Sequence, residues 1–78
     1  HEIDLLLDQG GRLLPIEIKS SRTIGNHFFD GLKYFQELSG ALPTESYLVY
    51  GGNESQKRSI AQVLSWQNLH QICSFLLG

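Results

Sequence analysis

Asp4, Glu17 and Lys19 are the residues whose types and spacing best suit them to chemistry. Asp4 belongs to the run Glu2-Ile3-Asp4-Leu5-Leu6-Leu7-Asp8, and the other two to Leu13-Leu14-Pro15-Ile16-Glu17-Ile18-Lys19. Between the runs stands Gln9-Gly10-Gly11-Arg12. Two glycines between alternating apolar runs signal a two-residue hairpin turn, because both central positions need positive φ. With Gly10 and Gly11 at the centre, Ile3 faces Ile18, Asp4 faces Glu17 and Glu2 faces Lys19. Directly opposed residues project to one face with Cβ atoms roughly 4.5–5.5 Å apart. Two carboxylates at that separation can share a divalent cation.

Hard cations such as Mg²⁺ and Mn²⁺ favour oxygen donors and keep several waters, so one or two carboxylates suffice to hold them. An ion between Asp4 and Glu17 could polarise a phosphodiester oxygen and lower the pKa of a bound water. Lys19, two residues beyond Glu17, shares its face and could stabilise developing negative charge. The backbone carbonyl of Ile18 is a candidate further oxygen ligand. The same residues also fit a solvated strand face carrying an ion pair, worth about 0–1 kcal/mol. A bulge at Pro15, which cannot donate to a ladder, would shift the register and separate the acids.

The elements that must position these groups follow from the hydrophobic pattern. Ile3, Leu5 and Leu7 lie on one side of the first strand, with Leu14, Ile16 and Ile18 on the matching side of the second. That face is expected to pack on the core. Ser20 to Gly25 form a connection, in which Ser20 and Ser21 either shape the turn or contact phosphate. Asn26 is the expected N-cap of a helix, with Thr23 competing, and Phe28, Leu32, Phe35 and Leu38 recur as its buried stripe. Gly40 is the expected terminator. Residues 46–50 read as a buried third strand, and a strand–helix–strand of this length implies a right-handed crossover to a parallel neighbour. Gly51 to Arg58 reads as a loop and Ile60 to Leu64 as a short fourth strand. Ser65 then caps a C-terminal helix with Trp66, Leu69, Ile72, Cys73 and Leu76 on its apolar face. The fold class is α/β with a mixed sheet.

Bulk properties set the limits. The 78 residues make one domain, near the size at which a single core is marginal. The first residue is His1, which leads to the expectation of a piece cut from a longer chain. An apolar fraction of 41% suits a globular domain, no run is long enough to span a bilayer, and no membrane partner is expected. One cysteine excludes an internal disulfide framework, and without a visible signal peptide the cytoplasm is the default compartment. A net charge of −2 lacks the basic surplus of an independent high-affinity nucleic-acid binder, although Lys19, Arg22 and Lys33 could form a local patch. Cys73 is expected in the core, and His27 and His70 have no Cys or His at zinc-ligand spacing.

An Asp on one strand followed by Glu-x-Lys on the next resembles the signature of the PD-(D/E)XK nuclease superfamily, of restriction-endonuclease-like fold. Asp4, Glu17 and Lys19 occupy its positions. The wider text, Ile16-Glu17-Ile18-Lys19-Ser20-Ser21 with the later helix, the Tyr47–Tyr50 strand and Val63-Leu64-Ser65-Trp66, looks like the nuclease-like C-terminal domain of prokaryotic AAA-type ATPases. This resemblance implies a metal-dependent DNA-cleaving core with Asp4, Glu17 and the Ile18 carbonyl on Mg²⁺ or Mn²⁺ and Lys19 as transition-state stabiliser. It also implies an ATPase domain in the same parent chain. The superfamily usually adds a glutamate from a helix before the first strand; Glu2 or an upstream residue would have to supply it. The ATPase phosphate-loop motif is absent from the sequence. The alternative is a non-catalytic accessory module of the ATPase that docks nucleic acid or protein.

Overall fold

The computed structural model describes residues 3–70. Both turn glycines adopt positive φ, 62° at Gly10 and 90° at Gly11, and Asp8 Oδ1 accepts the Gly11 N–H at 2.9 Å. The turn joins β1 (Leu5–Gln9) to β2 (Arg12–Lys19) in an unbroken antiparallel register from Gln9 opposite Arg12 to Leu5 opposite Ile16. Pro15 sits opposite Leu6 without a bulge. Pairing of β2 with its other neighbour begins only at Ile16, so the missing N–H of Pro15 falls at the margin of that ladder.

A single crossover helix, α1 (Asp30–Ser39), leads to β3 (Tyr47–Tyr50), which lies parallel to β2 as the connection length requires. A two-residue strand β4 (Gln56–Lys57) pairs antiparallel with β5 (Gln62–Ser65), and β5 runs parallel to β3. The five-stranded sheet has the order β1-β2-β3-β5-β4. The polar stretch expected to be loop from Gly51 to Arg58 therefore contains an edge strand, closed by Arg58 N–H donating to Ala61 O at 2.9 Å. The expected fourth strand is displaced to Gln62–Ser65.

The helix begins later than Asn26. Residues 26–29 form a turn, Phe29 occupies the N-cap position, and no side chain caps it. Gly40 ends the helix at φ 76°, donating its N–H to Gln36 O, as the sequence leads one to expect. The buried line is Phe29, Leu32 and half-buried Gln36, whereas Leu38 is 69% exposed. The expected stripe through Leu38 is thus rotated. Gln36 explains the rotation: its Nε2 donates to Ser46 Oγ at 2.9 Å and to Ile60 O at 2.8 Å, tying the helix to the segments that enter β3 and β5.

Register decides which sheet face this helix covers. Glu17, Leu48 and Val63 form one row across β2, β3 and β5, and Lys19, Tyr50 and Ser65 form the next. Phe29, Leu32, Leu48, Tyr50, Ala61 and Val63 make the main core, so α1 covers the face that bears Glu17. The opposite face holds a smaller cluster of Ile16 and Val49 with Leu7, Tyr47 and Leu64 packed against it. This reverses the expectation that the Ile3–Leu5–Leu7 face packs on the core. Leu14 and Ile16 are buried, but Leu5 is exposed and Ile18 is 51% exposed. Trp66, placed by the sequence on the apolar face of a last helix, lies in a short 3-10 turn and is 58% exposed. Ser65 does cap that turn, accepting the Gln67 N–H. The expected contributions of Ile72, Cys73 and Leu76 lie outside the described residues, as does Glu2.

The rotated stripe has a measurable consequence. Leu32→Ala should lose about 2–5 kcal/mol of stability by opening a cavity under the helix, while Leu38→Ala should stay within about 0.5 kcal/mol of wild type. Urea denaturation of the two variants checks the order. Equal losses would restore the original stripe.

Candidate functional site

The hairpin register places Asp4 across from Glu17, as its turn dictates, although Asp4 itself lies in a bend just before β1. The bend moves Ile3 off its strand parity, so that it packs against the helix-side core. Asp4 Oδ2 accepts the backbone N–H of Ile18 at 2.8 Å. That donor is the one a longer β1 would have engaged with a main-chain carbonyl, so the carboxylate takes over the ladder where the strand stops.

The N–H and C=O of one strand residue point to the same side. The Ile18 carbonyl therefore faces the edge on which Asp4 sits, while the Ile18 side chain projects to the far face. Its expected role as an oxygen donor is compatible with this placement.

Glu17 is only 6% exposed, although it is an acid in the middle of a sheet face. Burial is the largest influence on it and raises its pKa to about 7; the hydrogen bond with Asp4 and the negative charge of Asp4 push the same way. Asp4 moves in the opposite direction, held below the usual carboxylate range by the Glu17 hydrogen bond first and the Ile18 N–H second. The pair thus behaves as an acid–carboxylate couple that shares one proton, with Glu17 donating and Asp4 accepting. Lys19 adds an attractive charge to both acids.

Lys19 ends β2 on the helix-covered face. Its Nζ lies 5.4 Å from the centre of the Phe28 ring, which gives the ammonium an aromatic face to rest on. Phe28 belongs to the turn before α1 and not to the helix stripe where its spacing placed it. Its position beside the lysine depends on how the connection folds, and local periodicity carries no signal for that. Ser21 accepts the Thr23 N–H at 3.2 Å and its hydroxyl donates to Thr23 O at 2.9 Å, so this serine shapes the turn leaving β2.

The structure therefore brings Asp4, Glu17, Ile18 and Lys19 together at one end of the sheet. Among the described residues no group of three or more His, Cys, Asp or Glu gathers as a metal site. An ion here would rest on two carboxylates, one carbonyl and water, an all-oxygen set that suits Mg²⁺ or Mn²⁺ and leaves open positions. A proton shared between two acids is what such a cation would displace.

Residues 1–69 match a family described as a domain of unknown function, DUF4143. The chain belongs to that family. DUF4143 domains are typically found in AAA-type ATPases, which agrees with the parent expected from the sequence. No curated protein and no solved structure matches the chain. Among the described residues of this DUF4143 domain, no helix is long and apolar enough to cross a membrane.

The acid couple makes stability depend on pH with a definite sign. Glu17 has a folded pKa above its ordinary value of 4.5, so its contribution is complete below that value and is lost as pH rises to about 7. Asp4, lowered from 3.8, contributes above that value and loses its contribution as pH falls. Glu17→Gln keeps a donor for Asp4 and removes the buried charge. It should be more stable than wild type by on the order of 2 kcal/mol at pH 8, with the gap closing below pH 5. Denaturation at the two pH values tests this; a gap independent of pH would refute the raised Glu17. In a second measurement, carboxyl NMR titration of Asp4→Asn should find Glu17 titrating lower than in wild type yet still above 4.5, because burial persists.

Proposed function

We propose that this chain is a divalent-metal-dependent phosphodiesterase domain of nuclease type, attached to an AAA-type ATPase and acting on DNA. The observation that carries this reading is the contact between the Asp4 and Glu17 carboxyl groups at a strand end with Lys19 beside them. The sequence resemblance to the PD-(D/E)XK superfamily supports it, since these are the positions of that signature.

The residues divide the work by their chemistry. Asp4, fixed by the Ile18 N–H, presents an ionised oxygen near neutral pH. Glu17 releases its proton when a cation takes its place, so metal affinity should rise as pH climbs toward 7 and above. When bound, Mg²⁺ or Mn²⁺ supplies Lewis-acid polarisation of a phosphoryl oxygen. Lys19 holds a positive charge at the same edge, where it can stabilise charge building on the phosphate. The Phe28 ring limits the directions its ammonium can take.

A second reading has its own observation. Glu17 is nearly inaccessible and shares a proton, which also describes a structural acid pair in an accessory module that docks DNA or protein. Cleavage of supercoiled plasmid in Mg²⁺ or Mn²⁺ separates the two. Asp4→Ala and Lys19→Ala should each lower the rate by at least about a hundredfold, with chelator abolishing wild-type cleavage. Nicking that persists unchanged in both variants removes the catalytic reading; no nicking in wild type at any metal concentration favours the accessory module.

A further inference from the structure

The three parallel strands end together. Lys19, Tyr50 and Ser65 are in register, and the residues just beyond them enclose a cavity of about 350 Å³ lined by Arg22, Gly51, Gly52, Asn53, Trp66 and Gln67. In sheets of parallel strands, ligands are bound outside the carboxyl ends, where the chain turns away and leaves a crevice.

The walls of this crevice are built by close backbone approach. Gly51 donates its N–H to Ser21 O at 2.8 Å. A Cβ on Gly51 would lie 2.4 Å from Ser20 O, and one on Gly52 would lie 2.7 Å from Arg22 O and 2.3 Å from the Tyr50 ring. Any side chain at these positions would push the β3 exit away from the β2 exit. Ser65 Oγ donates to Gly52 O at 2.6 Å and holds the third wall in place. Tyr50 Oη, donating to Glu54 O at 2.7 Å, fixes the start of the following loop.

The functional groups left on these walls are of three kinds. Trp66 presents a largely exposed indole, Arg22 is exposed with no ion-pair partner among the described residues, and Asn53 and Gln67 carry amides. An aromatic face beside a guanidinium and amides is the complement of one nucleotide: base on indole, phosphate on guanidinium, base edge on amide. A paired base in a duplex offers no free face for such stacking.

Resting on the phosphodiesterase reading, we propose that this crevice holds one unstacked nucleotide of a single strand beside the Asp4–Glu17–Lys19 edge. Trp66 lies beyond β5 and Lys19 at the end of β2, two strand spacings apart, or about 10 Å. A strand with its base on Trp66 would pass its neighbouring phosphates along the sheet end toward Lys19. The domain would then prefer single-stranded or frayed substrate to intact duplex.

Trp66 is the only tryptophan of the chain, so its fluorescence reads the proposed contact directly. Oligothymidylate titrated into the full chain in chelator should quench Trp66 saturably, with a duplex of equal length quenching far less. Arg22→Ala should weaken binding by about five- to tenfold and lower the salt slope by about 0.7. Trp66→Ala, followed by anisotropy of labelled oligonucleotide, should weaken it by about five- to a hundredfold. The proposal is overturned by an unquenched Trp66, by equal quenching with duplex, or by affinities unchanged in both variants. The chelator keeps this outcome separate from catalysis. A chain that cleaves with Trp66 unquenched keeps its metal site and loses this crevice; one that is quenched without cleaving does the reverse.

Discussion

Glu17 stands where the fold least favours a charge. Its row continues through Leu48 and Val63, and the crossover helix lies over that row. A carboxylate in such a place must find a strong partner, keep its proton or be displaced toward water. The hairpin decides among these. Because the Gly10–Gly11 turn fixes the register, Asp4 arrives opposite Glu17 and accepts its hydrogen bond, and the Ile18 N–H in turn fixes Asp4. A one-residue slip would send Asp4 to the other face and leave Glu17 buried alone. The turn, the strand end and the acid couple are therefore one mechanical unit.

The same constraint sets which parts of the fold were legible in the sequence. The Gly-Gly turn, the parallel third strand and the Gly40 terminator each follow from a local rule: positive φ, crossover length or a left-handed cap. All three appear in the structure. The covered face of the hairpin did not follow, because alternation identifies two faces but not which of them a helix will occupy. Leu5, Leu7, Leu14, Ile16 and Ile18 form the more apolar face, yet α1 lies on the other one. The row through Leu48 and Val63 supplies the apolar surface there, and it comes from strands distant in sequence.

The helix stripe failed for a related reason. Leu38 matches the period, but Gln36 holds hydrogen bonds to Ser46 and Ile60 that fix the rotation of α1 about its axis. A polar residue with two specific partners outweighs an apolar one in the last turn of the helix. Trp66 was misplaced because Ser65 opens a 3-10 turn and leaves the indole outward. The capping signal was correct, and the geometry after it was not visible in the pattern. Asp4, Glu17 and Lys19 were legible because their proximity depends only on the turn and on strand parity.

The energetic position of the acid couple bears on why a small domain would carry it. A single core of this size generally supplies only on the order of 3–5 kcal/mol of net stability, and every buried polar group draws on it. A buried acid, even a paired one, is often no better for stability than an apolar residue of the same volume, and above neutral pH Glu17 becomes worse as it loses its proton. If the strand end needed only to be closed, a main-chain carbonyl from one more residue of β1 would serve Ile18 without any charge. The chain instead ends the strand with a carboxylate, sets a second carboxyl against it and places an ammonium two residues on. Destabilising groups concentrated at one edge are the usual physical signature of a site shaped for a ligand. The crevice past the same strand ends, with its outward indole and guanidinium, continues along the sheet end this concentration of polar and aromatic groups, and the proposed single-strand path draws on both.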